Sequence, residues 1–267
     1  ESFAAGNTSV CCMARHLHAD IVPVDVGVAR DLTVDGVLNR KIMYGTNDMT
    51  QMPAMSREQA VKALEVGIHL VEELKQQGYQ LIMTGEMGIG NTTSSSAVTS
   101  VLLNLPPEQV TGHGAGLDQP GLLRKVSAIK TAISLNRPNP DDPVDVLAKV
   151  GGLDIAAMAG LYLGGMVYRI PVMIDGVISA VAALIAARLA PNSKDYMIPS
   201  HVSKEPAGKL LLDELGFRPL LTCDLCLGEG TGAVAALSVL DTALCVYHEM
   251  VTFSGLDISK YEEFDRT

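Results

Sequence analysis

At 267 residues, 48 % hydrophobic and 19 % charged, the chain has enough apolar material for a full core and fits one large or two small domains. A net charge of −10 leaves no basic surplus to neutralise phosphates, which argues against a nucleic-acid backbone as partner. Five cysteines, two of them adjacent (Cys11 and Cys12), make no extracellular disulfide framework, so a reducing cytoplasm is the expected setting.

Residues 1–18 read as a helix, with Val10, Met13, Ala14 and Leu17 at helical spacing. Residues 19–28 read as a strand that sets Val22, Val24, Val26 and Val28 on one face. The helix arrives with no strand before it, and Glu1 stands where a methionine would, with no signal-peptide pattern, so the start reads as trimmed or processed. Residues 29–55 form a loop too long to be idle in a compact domain. Ser56 and Gln59 make a capping box for a helix to about Gln77, carrying Ala60, Leu64, Ile68 and Val71 inward.

Tyr79–Met83 is a short apolar run that reads as a buried strand. It breaks into Thr84-Gly-Glu-Met-Gly-Ile-Gly-Asn-Thr-Thr93, and a helix follows over 94–103. A strand that opens a helix through glycines places backbone N–H groups and a positive helix end around one anion. The stretch has neither the ending of a P-loop nor dinucleotide-fold spacing, and a tight turn whose glycines serve packing remains the plainer reading. A second glycine loop, 111–118, precedes a helix from Asp118 to about Leu135, and 136–143 is a proline-rich turn. Helices follow at 145–150 and 154–163, split by Gly151-Gly152, with Asp154 as the expected N-cap. Ile170–Ile174 is a strand ending in Asp175-Gly176 before an alanine-rich helix to Leu189. This 170–189 stretch is the longest apolar run, and Asp175 and Arg188 interrupt it, so no membrane span is expected. Tyr196–Pro199 and Pro219–Thr222 read as two more strands. Leu227-Gly-Glu-Gly-Thr-Gly232 then opens an apolar helix from Ala233 to Tyr247, and 248–267 is a short polar tail.

Short apolar strands alternating with helices, with glycine loops after them, indicate an α/β fold: a mostly parallel sheet covered on both faces. Ligands bind beyond the carboxyl ends of such strands. If the glycine loops converge there, the site holds an anion, two carboxylates (Glu86 and Glu229) and the nearby cation Lys125, a set suited to acid–base work. Each has a plainer reading: Glu229 as a capping or solvent-facing acid, Lys125 as a solvated helix lysine, Asp175 as a turn former. Cys223 and Cys226 form a CxxC without two further zinc ligands and are expected to be buried thiols. Of the histidines, His113 alone sits in a glycine loop and is the one expected near a site.

Gly85–Thr93, Gly116-Leu-Asp118 with Arg124-Lys125, Val150–Gly160, Ile174–Ser179 and Leu227–Ala233 resemble, in order, the motifs of nicotinate-nucleotide–dimethylbenzimidazole phosphoribosyltransferase, an enzyme of cobalamin lower-ligand synthesis. The resemblance covers nearly the whole chain. It implies a Rossmann-like catalytic domain (19–247), a small helical domain to which 1–18 and 248–267 contribute, and a homodimer. It implies transfer of the phosphoribosyl group of nicotinate mononucleotide to 5,6-dimethylbenzimidazole, giving alpha-ribazole 5'-phosphate and nicotinate, with no cofactor and no metal. By resemblance Glu229 is the general base and Glu86 a second acid near the ribose or the base. Met87, Gly88, Gly90, Asn91, Thr92, Gly114, Lys125, Asp175, Gly176, Ser203 and Leu227 are the implied substrate contacts, with Lys125 supplying positive charge. Members carry a further N-terminal segment holding a strand and much of the benzimidazole pocket, which this sequence lacks. That departure leaves open a related transferase using another lower-ligand base (phenol, adenine or another benzimidazole) or a non-catalytic nucleotide-binding subunit. It also leads to the expectation that this chain alone is catalytically weak.

Overall fold

Two helices meet backbone to backbone through a glycine on each. In the structure, a computed structural model that describes residues 1–114 and 116–256, α2 (Arg57–Gln76) lies along α7 (Leu153–Tyr168). A Cβ added to Gly67 would stand 2.0 Å from the Ala157 carbonyl oxygen, and one on Gly160 would stand 2.0 Å from that of Leu64. The helices therefore touch backbone to backbone, a separation that only glycine at both positions permits. Gly67→Ala is expected to lower stability by about 1–3 kcal/mol or more, because the helices must part to admit one methyl. A urea-unfolding midpoint equal to that of the parent would contradict this contact.

α2 begins at the expected capping box, in which Ser56 Oγ accepts from the Gln59 N–H and the Gln59 side chain accepts from the Ser56 N–H. Ala60, Leu64 and Val71 are buried, whereas Ile68 is half-exposed.

The strands are brief and every pairing between them is parallel. β1 (Val24–Asp25) pairs β2 (Leu38–Asn39) in one sheet; β3 (Ile82–Met83), β4 (Val172–Ile174) and β5 (Met197–Pro199) form the other, in that order. Successive residues of β4 face opposite ways. Val172 and Ile174 join the large core with α2, α7 and α8 (Val177–Leu189), while Met173 packs with Ala233 and Ala236 of α10 (Thr231–Glu249). Helices thus cover both faces, as the alternation of elements implied.

Several local expectations are corrected. The 19–28 stretch pairs over two residues only; Val22 and Val28 are exposed, and the buried residue is Asp25. That carboxylate binds Lys41 at 2.8 Å and accepts from the Gly27 and Val28 N–H groups, so it knots a loop instead of an apolar face. The 29–55 loop contains β2 and frames a cavity of about 390 Å³ lined by residues including Asp31, Lys41 and Tyr44, none of them an expected site residue. Of 219–222, only Leu221 forms a bridge, to His201. The helices α4 (Pro107–Val110) and α9 (Ala207–Leu215) had no counterpart in the reading of the sequence. Cys223 and Cys226 are exposed, not buried.

The remaining helices are α1 (Ser9–His16), α3 (Asn91–Leu103), α5 (Gln119–Asn136) and α6 (Pro143–Val150). α1 packs its Val10 and Cys11 on Val234 of α10, next to the sheet. Among the described residues, α10 is long and apolar enough by length and composition to cross a membrane, but its first turns are buried in the core and Asp241 interrupts it. The stretch 170–189 is instead β4 and α8, both interior. From residue 257 the expected tail lies outside the described residues.

Candidate active site

The two acidic glycine loops meet beyond the carboxyl ends of β3 and β4. The Glu229 N–H donates to the Glu86 carbonyl oxygen at 3.2 Å, zipping one loop to the other. A Cβ on Gly85 would stand 2.6 Å from the Glu229 carbonyl oxygen, so glycine is required where the loops cross. Glu229 itself has a φ of 63°, a left-handed conformation that a side chain adopts at a cost. Strain of this kind persists where surrounding bonds enforce it and gathers at functional positions.

Asp175 supplies the enforcing bonds. It is 1 % exposed, and its two carboxylate oxygens accept from the Gly230 N–H at 3.1 Å and the Ala233 N–H at 3.0 Å, capping α10 from the end of β4. His201 lies behind it: a Cβ on Gly232 would fall 2.0 Å from His201 Nδ1 and 3.0 Å from an Asp175 oxygen. Burial pushes Asp175 up from the ordinary carboxylate range, the Ala233 and Gly230 amides pulling it back, and burial pushes the neighbouring His201 down. With an oxygen on each of the Gly230 and Ala233 amides, Asp175 holds the Glu229 loop.

Glu229 is half-buried, and its Oε2 accepts from the Val10 N–H in the first turn of α1 at 3.4 Å. Leu227 is 59 % exposed. Met87 (53 %) and Ile89 (84 %) are exposed on the opposite loop. The loops that carry the two acids thus also carry exposed apolar side chains, which suit one face of an aromatic ring.

Glu86 is half-buried, and burial pushes its carboxyl up to about 7, with the charges of Asp154 and Asp175 adding to the rise and a hydrogen bond from Asn91 opposing it. The folded protein thus keeps this proton up to about pH 7, whereas an exposed glutamate releases it near 4.5. Between those values unfolding releases a proton, so stability falls as the pH rises through that window. Glu86→Gln removes the loss. It is expected to raise the stability at pH 8 by about 1–2 kcal/mol, allowing for solvent screening, and to leave it unchanged at pH 4. Melting curves at the two pH values check this, and an equal shift at both would contradict it.

A second cluster gathers at Thr92, the residue after Asn91 on α3. Lys125, on α5, is 7 % exposed and donates from Nζ to Thr92 Oγ1 at 3.0 Å and to the Gly112 carbonyl oxygen at 3.1 Å. Burial pushes the ammonium down, and the charge of Glu205 pulls it back. Gly114 closes over the pair, its Cβ position 3.0 Å from Thr92 Oγ1 and 3.4 Å from Nζ. Thr92, Val177, Glu205 and Ala207 line one small crevice, which brings together the N-termini of α3, α8 and α9. Gly90 and Gly176 are the N-caps of the first two, and none of the three is capped by its own side chain. Helix starts without side-chain caps near a buried cation suit an anion. Ser203 stands beside this crevice, its Oγ accepting from the Glu205 N–H at 3.3 Å.

Gly88 lies against the Glu86 carboxyl, 3.8 Å from its Cβ position, and Asn91 donates from Nδ2 to Glu86 Oε2 at 2.7 Å. His113 is in the loop that Lys125 anchors but is exposed, its Nδ1 on the Leu117 carbonyl oxygen. Asp154 is not an N-cap: Gly152 caps α7, and Asp154 reaches back to Asn91. Asp154, His201, Glu205 and the Val10 amide were not foreseen as site groups; each comes from an element remote in sequence from both glycine loops.

Residues 1–258 match the family model described as phosphoribosyltransferase. A nicotinate-nucleotide–dimethylbenzimidazole phosphoribosyltransferase of Ruminiclostridium cellulolyticum is 50 % identical over 99 % of this chain and 75 % of its own length. One of the same name from Acetivibrio thermocellus is 48 % identical over 98 % of this chain and 74 % of its own length. The crystal structure of CobT from Thermus thermophilus superposes with a TM-score of 0.92 at 39 % identity, covering 97 % of this chain and 78 % of that one.

Proposed function

The chain belongs to the phosphoribosyltransferase family, and on that premise we propose that it transfers the phosphoribosyl group of nicotinate mononucleotide to 5,6-dimethylbenzimidazole. The observation that carries the reading is the zipped pair of acidic loops together with a buried lysine tied to Thr92 in the first turn of α3. The 5′-phosphate lies against Thr92, Gly114, Lys125, Gly176 and Ser203, and the ribose spans from there to Gly88, Gly90 and Asn91. The aromatic base lies between Met87 and Leu227.

The benzimidazole nitrogen lone pair attacks C1′ as the bond from C1′ to the pyridinium nitrogen breaks. The electrons of that bond return to the pyridine ring, and nicotinate leaves. Attack from the opposite face inverts C1′ and gives the α-ribotide. The N–H proton of the attacking base passes to the Glu229 carboxylate, and Glu86 serves as the neighbouring acid. Catalysis is positioning plus one proton transfer.

The exposed apolar side chains of Met87 and Leu227 also favour a second reading, the same transfer to another aromatic acceptor such as adenine or a phenol. Incubation with nicotinate mononucleotide and each acceptor in turn, with the ribotides identified by mass and anomer, tests both. Dimethylbenzimidazole is expected to be used with the highest kcat/KM; a different preferred acceptor selects the second reading, and no ribotide from any acceptor contradicts both. The exposed Val239, Leu244, Val246, Tyr247 and Phe253 along and after α10 support a homodimer joined there, and the thiols, unpaired throughout the described residues, fit a cytoplasmic setting.

A further inference from the structure

Asn91 sits at the start of α3, 4 % exposed, and its one amide nitrogen serves two carboxylates: Nδ2 donates to Glu86 Oε2 at 2.7 Å and to Asp154 Oδ2 at 2.8 Å. Its Oδ1 is buried without a hydrogen-bond partner. The opposite orientation of the amide would turn an acceptor onto two carboxylates, so the observed one is the one that gives each acid a donor. Asp154 reaches this place because Gly152 has no side chain: a Cβ there would fall 2.7 Å from Asp154 Oδ1. That oxygen accepts from the Ile155 N–H at 2.9 Å, fixing the carboxylate in the first turn of α7, where the helix dipole favours negative charge.

We propose that Asp154 is a positioning residue for the transfer: through the Asn91 amide that it shares with Glu86 it fixes the place of the Glu86 carboxyl and sets the electrostatic surroundings of that acid, with the Asn91 N–H acting in the opposite sense to the Asp154 carboxylate. The inference rests on the assignment of Glu86 to the reacting site. Two carboxylates on one amide resist carrying two negative charges, and the helix dipole at the start of α7 favours negative charge where Asp154 is anchored. The other charge acting on Glu86 is Asp175 at the end of β4; Glu229 lies on the facing loop with its carboxylate on the Val10 N–H, and Lys125, the cation of the site, is tied to Thr92 and Gly112. Burial of Glu86 works in the same direction as Asp154. In the reaction the neutral Glu86 leaves Glu229 as the acceptor of the benzimidazole proton, so the two acids of the zipped loops have separate parts.

The test is the titration of the Glu86 side chain followed by carboxyl NMR of carbon-13-labelled protein, with Glu86→Gln identifying the signal. In the parent the midpoint is expected near 7. Asp154→Asn removes the charge and keeps the shape, and is expected to weaken proton binding at Glu86 roughly tenfold, moving the midpoint acidward. Asn91→Leu removes the donor and fills its space, and is expected to move the midpoint alkaline. Midpoints unmoved in both variants, or moved the same way as general loosening would move them, overturn the proposal. The acid–base limb of kcat is measured alongside. A limb that follows the NMR midpoint supports Glu86 as the acid of the reaction; opposite NMR shifts with a stationary limb uphold the bridge and contradict the part given to Glu86 in the transfer.

Discussion

Glu229→Gln is expected to lower kcat for base-dependent nicotinate release by about 10²–10⁴ while leaving nicotinate mononucleotide affinity unchanged. The substitution keeps the length of the side chain and an acceptor for the Val10 N–H, which reaches Glu229 Oε2 at 3.4 Å. The loop itself is held by Asp175 through the Gly230 and Ala233 amides and by the Glu229 backbone on Glu86, none of which uses the Glu229 carboxylate. What is lost is the ability to take a proton, and that loss belongs to the transition state, so it appears in kcat. A variant that turns over at the parental rate would remove Glu229 from the mechanism, and a parallel loss of mononucleotide binding would make its role structural.

Lys125→Met is expected to raise KM for nicotinate mononucleotide by about 10- to 100-fold, the value of a charge-assisted hydrogen bond in a buried site. Methionine keeps the apolar stem of a side chain only 7 % exposed. Arginine is not expected to rescue, because the compact ammonium is seated in a buried place between Thr92 Oγ1 at 3.0 Å and the Gly112 carbonyl oxygen at 3.1 Å, which a wider planar guanidinium does not match. The discriminating substrate is the nicotinate riboside, which lacks the phosphate. Parent and variant are expected to handle the riboside alike; an equal loss on both substrates would mean that Lys125 holds the Gly112 loop in place and does not bind an anion.

The glycine loops were legible in the sequence because their chemistry is local. Glu86 and Glu229 each sit within a few residues of the strand end and helix start that place them, and a run of glycines between the two announces a close backbone approach. The capping box at Ser56 was legible for the same reason. Residues acting across the fold were not. Asp154 reads locally as a cap, and only its return to Asn91 across the first turn of α7 shows otherwise. Asp175 reads as a turn former or a ligand contact until both oxygens are seen on the amides of α10, 55 and 58 residues further on. The alternating valines of 19–28 mimic a half-buried strand, yet the partner strand spans only Leu38–Asn39 and the buried side chain is the charged one between them. In a sheet whose strands are two or three residues long, period-two patterning has little room to declare itself, and the surrounding helices carry the fold.

The most direct test of the account is nicotinate release from nicotinate mononucleotide by the parent chain, measured with and without dimethylbenzimidazole and matched against ribotide formed. The account predicts release that depends on dimethylbenzimidazole, with one α-ribotide formed per nicotinate. Release at the same rate without the base, or no release while the mononucleotide still binds, would contradict it.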